Sequence, residues 1–211
     1  MIEIEKNLRE NIYHNIKSEI VRGTYKNVDR LNEKDLVNKY KVSKAPVRDA
    51  LIELCNEGVL RSIPRYGYQI VNYSDDYLKG IIRFRKIVEI KYLDLFWESL
   101  GEKEIYNLES LHTSQTTDVD KEQIENYWKS NQDFHLKLAS FYKDEYFYEN
   151  LKNAMTKQMV VFAQFYWDHW DKSVFNLYSH QHDAFIQAIK EGDREKAFKE
   201  LEYDIDSFIK K

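Results

Sequence analysis

Residues 43–54 read SKAPVRDALIEL. Val47, Ala50, Leu51 and Leu54 recur at intervals of three and four, the spacing of one buried helical face. Ser43 suits the N-cap, where its hydroxyl can accept a bond from a first-turn N–H. Pro46 is tolerated because first-turn N–H groups have no helical partner. Lys44 and Arg48 have no such local explanation. Four residues apart, they share one exposed stripe, and positive charge at a helix N-terminus opposes the macrodipole. The expected counterpart is something negative outside the protein.

Upstream, Ile4, Leu8, Ile12, Ile16 and Ile20 recur every four residues, which predicts an amphipathic helix over 4–22 ended by Gly23. Asn32 is placed to cap a short helix containing Leu36, Val37 and Tyr40, and Lys41-Val42 makes a tight connection to the helix opened by Ser43. That helix stops at Gly58, a natural residue just past a helix end. Val59, Leu60 and Ile63 follow, then PRYG at 64–67 and YQIVNY, whose residues suit a strand. Helix, helix, short turn, helix and two-stranded hairpin is the order of a winged helix-turn-helix, whose third helix enters the DNA major groove by its N-terminal residues.

The chain has 211 residues, of which 43% are hydrophobic and 15% aromatic, enough for a sizeable core. Two Pro and six Gly are too few for an all-β protein and favour long helices. A single cysteine, Cys55, cannot form an internal disulfide and fits a reducing compartment. With no run of 18 apolar residues and no apolar signal core, the expectation is a cytoplasmic protein without a membrane association. Net charge is −4, but it is unevenly spread. Residues 1–72 carry 13 Lys and Arg against 10 Asp and Glu; the remainder carries 19 against 26. A basic front and an acidic back suggest different partners, and hence two domains, 1–72 and 73–211.

The run LNEKDLVNKYKVSKAPVRDALIELCNEGVLRSIPRYGYQI, residues 31–70, resembles the N-terminal domain of GntR-family bacterial transcription regulators. Their Ser/Thr-Arg-Thr-Pro-Val-Arg-Glu-Ala-Leu recognition helix appears here as SKAPVRDAL, with Lys44 for the usual Arg and Ala45 for the usual Thr. Lysine offers a point charge where arginine offers a bidentate fork, so base reading at that position should differ. The resemblance implies DNA contacts from Lys34, Ser43, Lys44 and Arg48, with Arg48 the candidate for a guanine. It also implies that Arg65, Tyr66 and Gly67 lie at the wing tip, over phosphates or toward the minor groove.

Beyond Tyr73 the periodicity predicts six antiparallel helices near 75–99, 102–113, 121–142, 145–168, 173–190 and 193–210, a bundle of suitable domain size. Some polar residues fall on faces that should be apolar. Asn131 and His135 share a stripe with Phe134 and Leu138; His182 lies with Phe185, Ile186 and Ile189; Asp204 sits between Leu201 and Phe208. A buried carboxylate needs a partner. Two imidazoles, an amide oxygen and a carboxylate could hold a divalent metal, although an inward histidine can equally be a hydrogen-bonded core residue. His180 and Asp133 are turned onto other faces. Phe162, Phe165, Tyr166 and Trp170, in QMVVFAQFYWDHW (158–170), suit ordinary core packing, a dimer interface or a ligand pocket.

Asn131-Gln-Asp-Phe-His135 resembles the D/N-x-x-F-H motif of the FCD effector domain in the FadR branch of GntR regulators, of the six-helix, VanR-like type. The segment from His182 to Ala197 resembles that domain's H-x-x-x-x-x-A…G-D-x-x-x-A motif. Metal-bearing members have a further histidine where this chain has Asp204, so the implied ligands are Asn131, His135, His182 and Asp204. Asp shifts preference toward harder ions, and the candidates are Zn, Ni and Mn. Arg85 and Glu89 match the family's R-x-x-x-E, which implies that Arg85 faces an effector cavity; by themselves they could equally form an intrahelical ion pair. Metal plus Arg suits a small carboxylate. The expectation is a ligand-responsive regulator, most simply a repressor, that binds a palindromic operator as a homodimer. The alternatives are a metal-sensing regulator, or a metal-dependent enzyme with an appended DNA-binding domain. No H-E-x-x-H, nucleophile elbow or phosphate-cradling Gly loop supports the enzyme.

Overall fold

The computed structural model describes residues 2–25, 28, 30–112, 121–166 and 181–207. The elements are α1 (Ile2–Val21), α2 (Glu33–Tyr40), α3 (Lys44–Asn56), β1 (Leu60–Ile63), β2 (Gly67–Ile70), α4 (Asp75–Leu95), α5 (Glu102–His112), α6 (Lys121–Phe141), α7 (Glu145–Tyr166), α8 (Gln181–Lys190) and α9 (Arg194–Asp206). This is the expected mostly-α architecture, a winged helix-turn-helix followed by a helical bundle. The chain divides into two compact units, Met1–Asp75 with Thr156–Asp168, and Asp76–Met155 with His169–Lys211. Sequence order alone groups Thr156–Asp168 with the bundle. Its contacts group with the first unit, because Val160 enters that unit's core and Gln164 bonds the backbone of Val71 and Tyr73.

In the first unit, Ile12, Ile16 and Ile20 of α1 bury against Val47, Ala50, Leu51 and Leu54 of α3, with Leu36 of α2 and Leu60 of β1 closing the core. Each fully buried side chain of this size stabilises the fold by about 1.5–3 kcal/mol relative to exposure. Lys41 takes the left-handed conformation (φ 56) that makes the connection between α2 and α3 tight. Asn32 and Ser43 occupy the expected N-cap positions in extended backbone, but neither side chain makes the cap hydrogen bond expected of it. Asn32 donates instead to Asp35 Oδ2 at 3.1 Å.

The wing is an antiparallel pair, with Leu60 opposite Ile70 and Ile63 opposite Gly67. A bridge from Leu31 to Tyr68 fastens it to the chain entering α2, with Leu31 N–H donating to Tyr68 O at 2.7 Å and Tyr68 N–H returning to Leu31 O at 3.0 Å. Gly67 makes that closeness possible. Its φ is +122, and a Cβ there would lie 2.7 Å from the Leu31 carbonyl oxygen.

In the second unit, α4 buries Leu78, Ile82, Arg85, Glu89 and Leu93 on one stripe. The helix expected to reach residue 99 ends at Leu95, and Trp97–Ser99 is a separate 3-10 turn. The Asp94 carbonyl, which would accept from the next helical turn, accepts from the Arg194 guanidinium instead. Between α8 and α9, Gly192 (φ +70) lets Asp193 N–H reach back to Ala188 O at 2.9 Å, after which Asp193 caps α9 through Lys196 N–H. That turn sets α8 and α9 side by side. The expected helix start at 173, the break at 113–120, Trp170, His180 and Phe208 lie outside the described residues.

Gly67→Ala is expected to cost at least about 1–3 kcal/mol, because both the left-handed backbone and the Leu31 carbonyl oppose a Cβ. A lowered melting temperature in a thermal unfolding experiment would show this, and an unchanged one would mean the wing is not pinned there.

Candidate nucleic-acid interface and metal centre

Lys44, Ala45 and Arg48 lie exposed along the leading edge of α3 and, with Asp49 and Ile52, border one shallow hollow. An adjoining cleft of about 690 Å³ brings together Lys34 of α2, Lys44 of α3 and Arg65, Tyr66 and Gly67 of the wing. Six of the seven expected DNA-facing residues therefore border two neighbouring depressions of the first unit. Ser43 is exposed at the start of α3.

The charges here are arranged by acidic neighbours that sequence reading left out. Lys44 Nζ lies 3.1 Å from Glu33 Oε2, although its own side chain is 71% exposed. Glu33 also accepts from the Tyr68 hydroxyl at 3.1 Å, so wing, α2 and α3 meet at one carboxylate. At the wing tip the Arg30 guanidinium lies 4.7 Å from the centre of the Tyr66 ring and donates to the Tyr66 carbonyl at 3.3 Å. Arg30 precedes the motif, so motif matching does not reach it. Gly67 is fixed against backbone, and its demonstrable role is to shape the wing.

The second unit holds the other expected set. Asn131 and His135 lie four residues apart on one face of α6, His182 comes from α8 and Asp204 from α9. All four are buried, none more than 5% exposed. His135 Nε2 lies 2.7 Å from Asp204 Oδ2; His182 Nε2 lies 3.6 Å from Asp204 Oδ1 and 3.4 Å from Asn131 Nδ2. Ligand atoms of His135, His182 and Asp204 fall within 4.8 Å of one another. Phe134 stacks on the His182 ring, with centroids 3.7 Å apart and planes 11° from parallel, which fixes the imidazole's orientation. Asp133 is exposed and takes no part.

α4 closes the other side. Glu89 Oε2 lies 2.6 Å from His135 Nδ1, and Glu89 Oε1 accepts from Arg85 Nε at 2.7 Å. Arg85 is fully buried. The expected Arg85–Glu89 alternative, an intrahelical ion pair, is therefore present, but as a buried pair joined to a histidine. Sequence reading placed both residues on α4 yet missed Glu89 as the partner of His135. The signal was there, since both charges fall on the stripe of Leu78, Ile82 and Leu93.

Burial opposes ionisation of Glu89 and Asp204. The Arg85 and His135 charges beside Glu89, and the His182 and His135 groups beside Asp204, outweigh it and hold both carboxyls below the usual range. Burial likewise opposes the His135 imidazolium. The Glu89 charge and hydrogen bonds to Asp204 and Glu89 exceed that penalty and the repulsion from Arg85, and raise its pKa.

The donor set fits a divalent cation on a further observation. Asn131 Oδ1 and Asp204 Oδ1 are buried with no hydrogen-bond partner among the described residues. An unsatisfied buried oxygen costs about 1–3 kcal/mol and calls for a missing ligand. Asp204 and the two imidazoles, whose ligand atoms gather from three helices, suit a divalent ion, and Asn131, which turns Nδ2 toward His182, would offer its oxygen to the same ion with its amide turned over.

A family model described as bacterial regulatory proteins, gntR family, matches residues 8–70, and one for the FCD domain matches residues 80–206. Among curated relatives, the HTH-type transcriptional regulator YdhC of Bacillus subtilis is 24% identical over 191 residues, covering 88% of this chain and 82% of its own. The HTH-type transcriptional repressor RspR of Escherichia coli is 21% identical over 69% of this chain and 64% of its own. Among solved structures, E. coli McbR/YncC superposes with a TM-score of 0.74 at 21% identity, covering 94% of this chain and 93% of that one. A GntR regulator from Rhodococcus sp. RHA1 gives 0.68 at 17%, with coverage of 94% and 93%. Among the described residues no helix is long and apolar enough to cross a membrane. The chain thus belongs to the GntR family of bacterial regulatory proteins, in the branch that carries an FCD domain, and is a DNA-binding transcription regulator rather than an enzyme.

Proposed function

We propose that the protein is a cytoplasmic repressor that binds a palindromic operator as a homodimer and is released by a small carboxylate held at a divalent metal. The observation that carries the effector half is the buried cluster with two unsatisfied oxygens, Asn131 Oδ1 and Asp204 Oδ1. Asn131, His135, His182 and Asp204 would hold the ion, and when bound it would attract an anionic oxygen. Charge accounting favours that class of effector. Arg85 and Glu89 cancel and an imidazole that ligates a metal is neutral, which leaves the single negative charge of Asp204. A divalent ion turns the set net positive by one, which a monocarboxylate neutralises.

The operator half rests on Lys34, Ser43, Lys44, Arg48, Arg65, Tyr66 and Gly67. Arg48 is assigned the guanine contact, a bidentate bond worth about 1–3 kcal/mol of discrimination. A homodimer presents two recognition helices to two half-sites about one DNA turn apart. An exposed apolar stripe on α4, formed by Tyr77, Phe84, Ile87 (70% exposed) and Leu95 (62% exposed), is a surface that a second copy could cover. Release follows if the effector binds one arrangement of the dimer more tightly than the other and shifts the population toward it. RspR is named as a repressor, which is the analogy behind the sign.

The near-complete burial of the cluster favours a second reading, in which the ion alone is the effector. Operator affinity measured with chelator, with metal, and with metal plus a panel of small carboxylates separates the two. A response only in the last condition supports the carboxylate; a full response to metal alone supports the sensor.

Arg48→Ala is expected to abolish specific binding in a gel shift against genomic fragments while changing stability by less than about 0.5 kcal/mol, since the residue is exposed. Undiminished specific binding would remove Arg48 from the interface. Protein purified without a His-tag or chelator is expected to contain one divalent ion per chain by elemental analysis, and His135→Ala to lose it. A content near zero in both would discard the metal.

A further inference from the structure

We infer that Glu89, anchored by Arg85, is the positioning residue that aims His135 at the metal. This rests on the metal reading above and concerns a residue outside the proposed ligand set. An imidazole has two nitrogens, and only Nε2 of His135 faces Asp204, at 2.7 Å. Nδ1 faces the other way and lies 2.6 Å from Glu89 Oε2. A carboxylate there accepts the Nδ1 proton and stops the ring from rotating, so that Nε2, which shares its proton with Asp204, is the nitrogen that would give up a proton to solvent and bind the ion.

Glu89 is itself held from behind. Its second oxygen accepts from Arg85 Nε at 2.7 Å, four residues away on the same helix, with Arg85 fully buried and Glu89 3% exposed. α4 therefore contributes no ligand but supplies the rigid back wall of the site. Stability alone does not account for two charges on that stripe, because well-packed apolar side chains in place of a buried ion pair are often as stable or more so. Beside a metal-binding imidazole the arrangement has a use, since such second partners typically contribute a factor of about 10–100 in metal affinity.

The test uses the full-length chain and Zn²⁺, with affinity read by competition against a chromophoric chelator and melting followed in chelator as a check on folding. Two variants are compared with wild type. Glu89→Gln keeps the shape and removes the charge; Arg85→Met/Glu89→Leu removes both charges together and leaves no uncompensated guanidinium. The double variant is expected to bind Zn²⁺ about 10–100-fold more weakly, and Glu89→Gln to fall between it and wild type. In ¹⁵N-labelled, Zn²⁺-loaded wild type, the His135 Nδ1 proton should appear far downfield from its bond to a carboxylate, and move upfield in Glu89→Gln. A merely structural role would not produce that movement. Zn²⁺ affinity within about threefold of wild type in the double variant, or in Glu89→Gln should the double variant not fold, overturns the inference and leaves the metal site standing. So does an unmoved Nδ1 resonance. Wild type that takes up no Zn²⁺ instead brings down the metal reading, and this inference with it.

Discussion

An imidazole buried between two carboxylates is the constraint around which the C-terminal unit is arranged. His135 has no exposed surface, and its two ring nitrogens meet Glu89 from α4 and Asp204 from α9. Removing one partner of a buried charged group costs about 3–5 kcal/mol, so these helices cannot shift register without exposing a loss of that size. The turn at Gly192 holds α8 against α9, and Phe134 stacking holds His182 in the same layer. A network of this kind is poor evidence for stability, because apolar packing could do as well. Its polarity fits the proposal that the cluster holds an ion.

The DNA-binding head is built by the opposite rule. Its interior is apolar and its charges stand outside, on a frame made rigid by α1 against α3 and by the bridge from Leu31 to Tyr68. Only there can a few lysines and arginines be presented at fixed spacing to a regular polyanion. Acidic residues remain among them. Glu33, held by Tyr68 and Lys44, locks three elements at the point where they would meet DNA.

Much of this was legible in the residues. Aliphatic residues every four positions gave away α1, and SKAPVRDAL identified the recognition helix and its family. Asn131, His135, His182 and Asp204 could be grouped before any coordinates because each broke an apolar periodicity, and the fold brings them together. What periodicity cannot reveal is which partner an inward side chain finds. Glu89 looked like half of a local pair, and only the packing of α4 on α6 shows that its other oxygen reaches His135. Tertiary contacts also overrode local rules. The Arg194 guanidinium takes the Asp94 carbonyl where α4 ends, four residues early, and Asn32 turns its amide to Asp35 instead of capping α2. The grouping of Thr156–Asp168 was illegible for a related reason, since an amphipathic pattern names a buried face but not the core that receives it.

The ion pair between Glu33 and Lys44 bears on how the head would respond to ionic strength. A lysine that meets a phosphate normally frees a condensed cation from the duplex, and the salt sensitivity of binding counts such events. Lys44 already carries a tethered counterion, and that carboxylate would remain near any phosphate the lysine met. The liberated cation would be partly retained by Glu33, so this lysine would contribute register and orientation more than salt-dependent affinity. Discrimination would then fall chiefly to Arg48, which among the described residues forms no ion pair with a carboxylate and lies one turn further along the same helix.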